Sequence, residues 1–364
     1  MTQSLLIVGA SGRAAAASAL RAGFAPFVID LFADADTVRL CPTLKCDPAD
    51  YPHGFIELAK KAPPGPWMYT GGLENYPDVV AAISETRALW GNGPDVLKLV
   101  RDPWFLDSLP KHVAGFAEVA ARRDDTAPWG WVRKPLAGAG GGGVRMVDHG
   151  DRADGPGVYY QKFIVGEPES VIFNVNDRPA TSLGLTLQLV GTPWLHARPF
   201  QYAGNVSRLR RAYPLGGWES GLQRHAAGLQ GLIGFDFIGQ SVLEVNPRYT
   251  ASVEVLEFAH GVPLLDRDTT PPPLRRIIGK GIYYAAVPIT FPASGPWDDS
   301  LARCTDVWRM PEFADIPHAG SVIEPGQPVF TLFASASTEE ECVNQLKAKA
   351  AACDRLFGIP EDSA

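Results

Sequence analysis

No apolar run in the 364 residues reaches the roughly 18 needed to span a membrane. The N-terminus, MTQSLLIVGASGR, has no basic segment ahead of its apolar run, and that run is too short for a signal peptide. Basic charge is in deficit. Lys plus Arg number 33 against 40 Asp plus Glu, a net charge of −7, and no basic block stands out as a footprint for nucleic acid. Cysteine is sparse and odd in number: five, at positions 41, 46, 304, 342 and 353. Cys41 and Cys46 are spaced C-x4-C with no matching pair downstream, so the reading is a reduced, cytoplasmic protein without a zinc site. The histidines, among them His112, His149, His196, His225, His260 and His318, show no metal-like spacing. Glycine (37) and proline (32) make up about one residue in five, short of the roughly 25–30% that marks low complexity. What remains is a turn-rich globular chain long enough for two or three domains.

The first third reads as a doubly wound α/β unit. Leu5–Val8 is a short apolar strand, Gly9–Arg13 a turn, Ala14–Ala22 an alanine-rich helix stopped by Gly23, and Phe27–Ile29 a strand ending at Asp30. Residues 53–61 and 76–89 read as helices and 67–70 as a strand, with the breaker PPGP at 63–66. Gly9 at a strand end with Asp30 21 residues later approaches the spacing of a dinucleotide site, which keeps an NAD(P)-binding oxidoreductase open. Ser11 stands where that fingerprint needs glycine, so a plain strand-to-helix turn is the competing reading. In the loop Thr70–Pro77, Glu74 and Asn75 either face a substrate or, for Asn75, cap a helix before Pro77.

The middle of the chain carries the chemistry. Trp131–Pro135 is a strand, followed by the glycine run 138–143 and a β-like run, 144–147. The run GAGGGG fits G-x-G-x-x-G, but no helix follows to present a phosphate-binding N-terminus. It therefore joins two strands as a hairpin whose bare backbone N–H groups, including those of Gly140, Gly141, Gly142 and Gly143, can close over phosphates; a disordered hairpin is the alternative. No G-K-[ST] follows, which excludes a P-loop. Lys134, on the strand into this loop, can reach a phosphate as a point charge. Residues 159–171 read as strand, turn and strand, and the exposed backbone of this segment could hydrogen-bond a flat base. The sharpest signal is 235–249, two strands meeting at Gly239-Gln240. Period-two alternation puts Glu244 and Asn246 on one face and Leu243 and Val245 on the other. With Asp236 they form a hard oxygen set suited to Mg²⁺, and Arg248 continues that face, able to grip a carboxylate or phosphoryl group in bidentate fashion.

These residues, Lys134 before the glycine loop, Gln161–Ile164, Asp236 and Glu244-Val-Asn-Pro-Arg248, resemble the ATP-grasp superfamily, firmly over about 95–260 and loosely over the whole chain. Within it the chain looks like the carboligases related to biotin carboxylase. The resemblance implies an α/β ATP-grasp fold with mixed sheets: a Rossmann-like N-terminal (preATP-grasp) domain over 1–94, a small lid subdomain with the glycine loop over 95–165, and a C-terminal ATP-grasp and catalytic subdomain over 166–364. It implies ATP and Mg²⁺ as cofactors. Lys134 and an earlier lysine would contact ATP phosphates; Lys98 is the candidate for the earlier one and Arg101 its rival, because Asp102-Pro103 stands where the family usually shows Asp-Lys. Gln161, Lys162, Phe163 and Ile164 would frame the adenine, Glu169 would hold the ribose, Asp236, Glu244 and Asn246 the Mg²⁺, and Arg248 would steady an acyl phosphate, making Arg248 and Lys134 the catalytic pair. In this family the Rossmann-like start is not a nucleotide site, which weighs against the NAD(P) reading.

The implied reaction is ATP-dependent activation of a small carboxylate and its capture by an amine, with an ATP-dependent, biotin-carboxylase-like carboxylase or a catalytically dead nucleotide sensor as alternatives. No biotin-carrier lysine motif is present in the chain. The start GASGRAAAASALRAGF and the segments 314–317 and 320–326 are similar to a subgroup from bacteria that use methanopterin-type one-carbon carriers, which suggests synthesis of a methanopterin- or methanofuran-type coenzyme. Arg208, Arg210 and Arg211, beside Tyr202 and Asn205, form either a loop closing over an anionic substrate or a solvated turn. Residues 337–356 read as a structural amphipathic helix with Val343, Leu346, Ala350 and Cys353 at helical spacing. Monomer and homodimer are both open.

Overall fold

A computed structural model of the chain describes residues 2–108, 115–120, 130–147, 157–175, 180–209, 228–265 and 270–360. Its N-terminal part is a parallel sheet of β1 (Ser4–Val8), β2 (Ala25–Asp30), β3 (Thr43–Lys45) and β4 (Trp67–Tyr69) in the order β3-β2-β1-β4. Leu5 to Val8 are all buried, as expected for a strand covered on both faces. Helices α1 (Arg13–Arg21), α2 (Ala35–Leu40), α3 (Gly54–Ala59) and α4 (Pro77–Ser84) accompany it. The helix expected to run to 89 stops at Ser84 because the chain turns back to the sheet, with Trp90 N donating to Trp67 O at 2.7 Å.

The hydrogen bonds of the turn after β1 weigh against the dinucleotide alternative. Asp30 Oδ2 accepts from Gly12 N at 2.9 Å, and its Oδ1 accepts from Ala33 N at 2.7 Å and Phe32 N at 3.1 Å. Its carboxylate is therefore spent on backbone and not offered to a ribose. Gly9 is required for close packing, since a Cβ there would lie 2.0 Å from Thr70 Oγ1.

Helices α5 (Pro94–Val100) and α6 (Pro103–Ser108) lead into two further sheets. The smaller is antiparallel, of β6 (Val119–Ala120), β7 (Trp131–Pro135), β8 (Arg145–Met146) and β9 (Val158–Lys162), in the order β6-β9-β7-β8. Val132 pairs Met146 and Arg133 pairs Arg145, so the glycine run does join two antiparallel strands. The larger sheet has nine strands in the order β17-β19-β15-β12-β11-β10-β13-β14-β5. They are β5 (Gly115–Phe116), β10 (Pro168–Val175), β11 (Thr181–Val190), β12 (Tyr202–Arg208), β13 (Gly231–Ile238), β14 (Ser241–Asn246), β15 (Ile277–Tyr284), β17 (Phe313–Ala314) and β19 (Pro328–Ala336); β16 (Ile289–Thr290) and β18 (Val322–Ile323) form a separate pair.

Helices α7 (Ala251–His260), α8 (Asp298–Ala302) and α9 (Glu339–Phe357) pack on these strands. The C-terminal helix buries Cys342, Leu346, Ala350 and Cys353 at helical spacing, and the Thr338 hydroxyl caps it by accepting from Glu341 N at 3.1 Å. Among the described residues no helix is long and apolar enough to cross a membrane.

Candidate active site

One cavity of about 1050 Å³ runs between the three sheets. That is at the upper end of the ~300–1,000 Å³ usual for small-molecule sites. Its floor is the nine-stranded sheet, reached by Ser170 on β10, Gln188 on β11, Tyr202 on β12, Asp236 on β13 and Lys280 on β15.

The β13–β14 hairpin sets Asp236 directly opposite Glu244. Asn246 joins them, its Nδ2 donating to Asp236 Oδ2 at 2.9 Å and to Glu244 Oε1 at 3.4 Å. Arg248 Nη2 donates to Asn246 Oδ1 at 3.2 Å. The four polar residues expected on one face are together. A bulge between Asp236 and Phe237 breaks the alternation, and Leu243, expected on the opposite face, also lines the cavity. Burial, and then the adjacent Glu244 charge, push the Asp236 carboxyl up to about 7. Glu244 is half-buried, and desolvation opposes its charge, but Lys134, Arg101 and Arg248 outweigh that and hold it below the usual carboxylate range. Two crowded carboxylates beside a carboxamide are a donor set that a hard dication relieves. Among the described residues no group of three or more His, Cys, Asp and Glu is arranged to hold a metal, so the set is completed by Asn246 with its amide turned to bring Oδ1, which here accepts from Arg248, toward the pair.

At the other side of that pair Lys134 Nζ donates to Gln161 Oε1 at 3.0 Å, and Gln161 Nε2 donates to Leu243 O at 3.0 Å. Burial works against the Lys134 charge, but Tyr159 and Glu244 raise its pKa above the ordinary lysine value, so it stays a cation. Gln161, Lys162, Phe163 and Ile164 all line the cavity. Lys162 also reaches Glu118 at 3.5 Å, and the Phe163 ring meets Phe200 edge-on at 6.3 Å.

The glycine hairpin is docked, which overturns the disordered alternative. Tyr202 N donates to Gly140 O at 3.1 Å, and Arg101 Nη2 and Asn75 Nδ2 donate to Gly138 O at 3.0 and 3.2 Å. Gly140, Gly141 and Gly142 line the cavity, whereas Gly143 turns away against Pro135, a correction to its place in the phosphate cradle. Gly141 has φ +79°, and a Cβ there would lie 1.9 Å from Phe200 O. Gly141→Ala should undock the loop at a cost of about 1–3 kcal/mol, weakening ATP by about tenfold. ATP titration by calorimetry checks this; unchanged affinity refutes it.

Other expectations are corrected. Lys98 is 68% exposed and 3.9 Å from Asp95, off the cavity. The inward face of α5 carries Leu97 and Val100 and continues to Arg101, which lines the cavity 3.9 Å from Glu244. Arg101, not Lys98, is the second cation. Glu169 and Arg208 lie off the cavity. Ser170 takes the cavity side of β10, so by alternation Glu169 points away, where Arg208 binds Glu169 at 2.5 Å, Glu339 at 2.8 Å and Glu167 at 2.9 Å. Arg210 lies outside the described residues. Glu74 is 1% exposed and sits behind the wall, 2.7 Å from Arg248 Nη2. Asn75 accepts from Arg101 Nη2 at 3.1 Å and braces the hairpin. Both support cavity residues and are not themselves on its wall.

Sequence reasoning missed Arg13, Lys280, Asp315 and Thr331, which also line the cavity. The available signal was an arginine opening an alanine-rich buried helix.

This architecture, a Rossmann-like sheet and a nucleotide-sized cleft between two further sheets, is the ATP-grasp fold. Residues 109–252 match the ATP-grasp domain family. No curated protein matches the chain in sequence. Among solved structures it is similar to L-amino acid ligase from Bacillus licheniformis, with TM-score 0.67, 13% identity, and 96% of this chain and 97% of that one covered. It is also similar to biotin carboxylase from Campylobacter jejuni in a β,γ-ATP complex, with TM-score 0.67, 14% identity, and coverage of 96% and 90%. A third is carboxyaminoimidazole ribonucleotide synthase from Aspergillus clavatus complexed with ATP, with TM-score 0.64, 12% identity, and coverage of 96% and 98%.

Proposed function

We propose that the protein is an ATP- and Mg²⁺-dependent ligase that activates a carboxylate as an acyl phosphate and joins it to an amine, releasing ADP and phosphate. The observation that carries this is the Asp236–Glu244 pair, facing each other across the hairpin in one cavity with Lys134, Arg101 and Arg248. Asp236, Glu244 and Asn246 would hold Mg²⁺. When bound, the ion supplies charge neutralisation at the transferring phosphoryl group.

The chain's own residues do the positioning. The N–H groups of Gly140 and Gly141 cover the phosphates while that of Gly142 ties the loop back to Ala139 O at 3.1 Å, and Lys134 and Arg101 bring positive charge to the phosphates. Gln161–Ile164, with Leu243, offer backbone and apolar surface to the base. Arg248, buttressed by buried Glu74, holds the carboxylate and then the acyl phosphate. We retain the division at 1–94, 95–165 and 166–364, supported by the separate sheets, with β5 crossing from the middle segment to pair with β14. The five free thiols support a reducing, cytoplasmic setting. The similarity of 314–317 and 320–326 to the methanopterin-carrier subgroup supports a place in one-carbon coenzyme synthesis.

The test is Mg·ATP turnover with a panel of small carboxylates and hydroxylamine as the trapping amine. Acid-dependent ADP and hydroxamate, formed together, are expected. Bicarbonate-stimulated ADP release with no amine would make the protein a carboxylase, and NAD(P)H binding without ATP binding would end the ligase reading.

A further inference from the structure

One short turn of the N-terminal unit reaches two arginines of the cavity. Leu73–Asn75 is a single 3₁₀ turn between β4 and α4. It is closed by Asn75 N donating to Gly72 O at 3.2 Å and Tyr76 N donating to Leu73 O at 2.9 Å. Of its adjacent side chains, Glu74 pairs with Arg248 at 2.7 Å and Asn75 accepts from Arg101 at 3.1 Å. Glu74 and Asn75 stand behind the cavity wall, whereas Arg101 and Arg248 are on it.

The Asn75 contact is one side of a closed triangle. Asn75 Nδ2 donates to Gly138 O at 3.2 Å. The same Arg101 Nη2 that donates to Asn75 Oδ1 also donates to Gly138 O at 3.0 Å. Three segments meet there: the 73–75 turn, the end of α5 and the glycine hairpin. Only one orientation of the carboxamide serves, because turning it over sets its NH₂ against the guanidinium and its oxygen against Gly138 O. A carboxylate in its place could accept from Arg101 but could not donate to Gly138 O.

The triangle also decides where the Arg101 charge points. Nη2 carries two hydrogens, and Asn75 and Gly138 take both. Nε is buried and has no hydrogen-bond partner among the described residues. Nη1 is the end left for the cavity, 3.9 Å from Glu244 Oε2. If the hairpin lifts, Nη2 loses one of its two acceptors and Asn75 Nδ2 loses its own. Docking the hairpin and aiming Arg101 are therefore one event. The hairpin has a further anchor two residues on, where Tyr202 N donates to Gly140 O at 3.1 Å.

We propose that Asn75 is a positioning residue that couples docking of the glycine hairpin to ATP binding, by holding Gly138 O and the phosphate-facing Arg101 in one cluster. It acts through Arg101 and the hairpin and does not itself touch the nucleotide. The N-terminal unit thereby takes part in the nucleotide site through the turn after β4 and not through the turn after β1. The inference rests on the ligase reading only in naming ATP as the ligand whose phosphates Arg101 meets. Docking is measured without nucleotide, so a chain that binds no ATP ends the ligase reading while the docking result still decides this one.

Hydrogen exchange on the ligand-free full chain follows the Tyr202 amide, which Gly140 O accepts while the hairpin is docked. Asn75→Leu, close in size, should speed that exchange about tenfold or more. Asn75→Asp, which keeps an acceptor for Arg101 but repels Gly138 O, should do the same. Calorimetric titration with Mg·ATP should show Asn75→Leu binding about tenfold or more weaker than the parent. In an Arg101→Met background the same substitution should change ATP affinity by less than about threefold, because its effect passes through Arg101. A residue serving the fold alone would lower the melting temperature and leave ATP affinity as it was. Tyr202 exchange unchanged in both variants, or affinity losses that add in full in the double variant, overturns the proposal.

Discussion

Glu244→Gln is expected to lower ADP formation by at least about 100-fold while leaving the fold intact. Removing a metal's outer-shell partner typically costs 10–100-fold, and a direct ligand should reach or exceed the top of that range. The substitution is close to isosteric, and the 3.4 Å Asn246 contact it disturbs is long. The fold therefore has little to lose. The charge has much to do: Lys134, Arg101 and Arg248 all hold Glu244 ionised. With that carboxylate neutral, the cations face the phosphates uncompensated. Metal-free ATP should then bind as well as before or tighter, while the gain in affinity on adding Mg²⁺ should shrink. Steady-state ADP release and ATP titrations with and without Mg²⁺ measure both halves. An ADP rate within threefold of the parent would remove Glu244, and with it the metal assignment, from the mechanism.

The signals legible in the sequence were those that depend on short spacing. The 235–246 hairpin was readable because alternation and a Gly239-Gln240 turn are local, and the glycine run could be read as a strand connection because no helix-forming segment follows it. The errors have local causes too, but of a kind spacing does not reveal. The bulge that turns Leu243 into the cavity depends on pairing register, which a single strand does not display. Choosing Lys98 over Arg101 was a choice of helix phase, and the buried Leu97 and Val100 decide it only once the helix is docked. Glu169 failed on strand parity, because Ser170 takes the cavity side of β10. The Arg13 network was out of reach for another reason. Its partners Glu254 and Asp315 lie 241 and 302 residues away along the chain, and no periodicity links them.

That network is where a single substitution should cost the most stability. Glu254→Gln leaves Arg13 and Lys280 buried without their shared carboxylate, and breaking a buried ion pair by removing one partner costs about 3–5 kcal/mol. Urea unfolding at pH 7 should show this loss. The pH dependence has a definite sign. Burial disfavours the charged form of Glu254, but Arg13 and Lys280 prevail and hold its pKa far below the usual carboxylate range. A depressed pKa adds stability that is fully present above the unfolded value of ~4.3 and drains away as pH falls toward the folded one. The gap between parent and Glu254→Gln should therefore be constant from pH 7 to about 5 and narrow below about 4. A gap under about 1 kcal/mol at pH 7 would mean that solvent reaches the pair and that the wall is not desolvated as described. The same variant separates structure from chemistry. Glu254 reaches the cavity only through Arg13 and Lys280 and touches no residue of the glycine hairpin. The KM for ATP of the folded fraction should stay within threefold of the parent while the melting temperature falls, whereas Glu244→Gln should do the reverse.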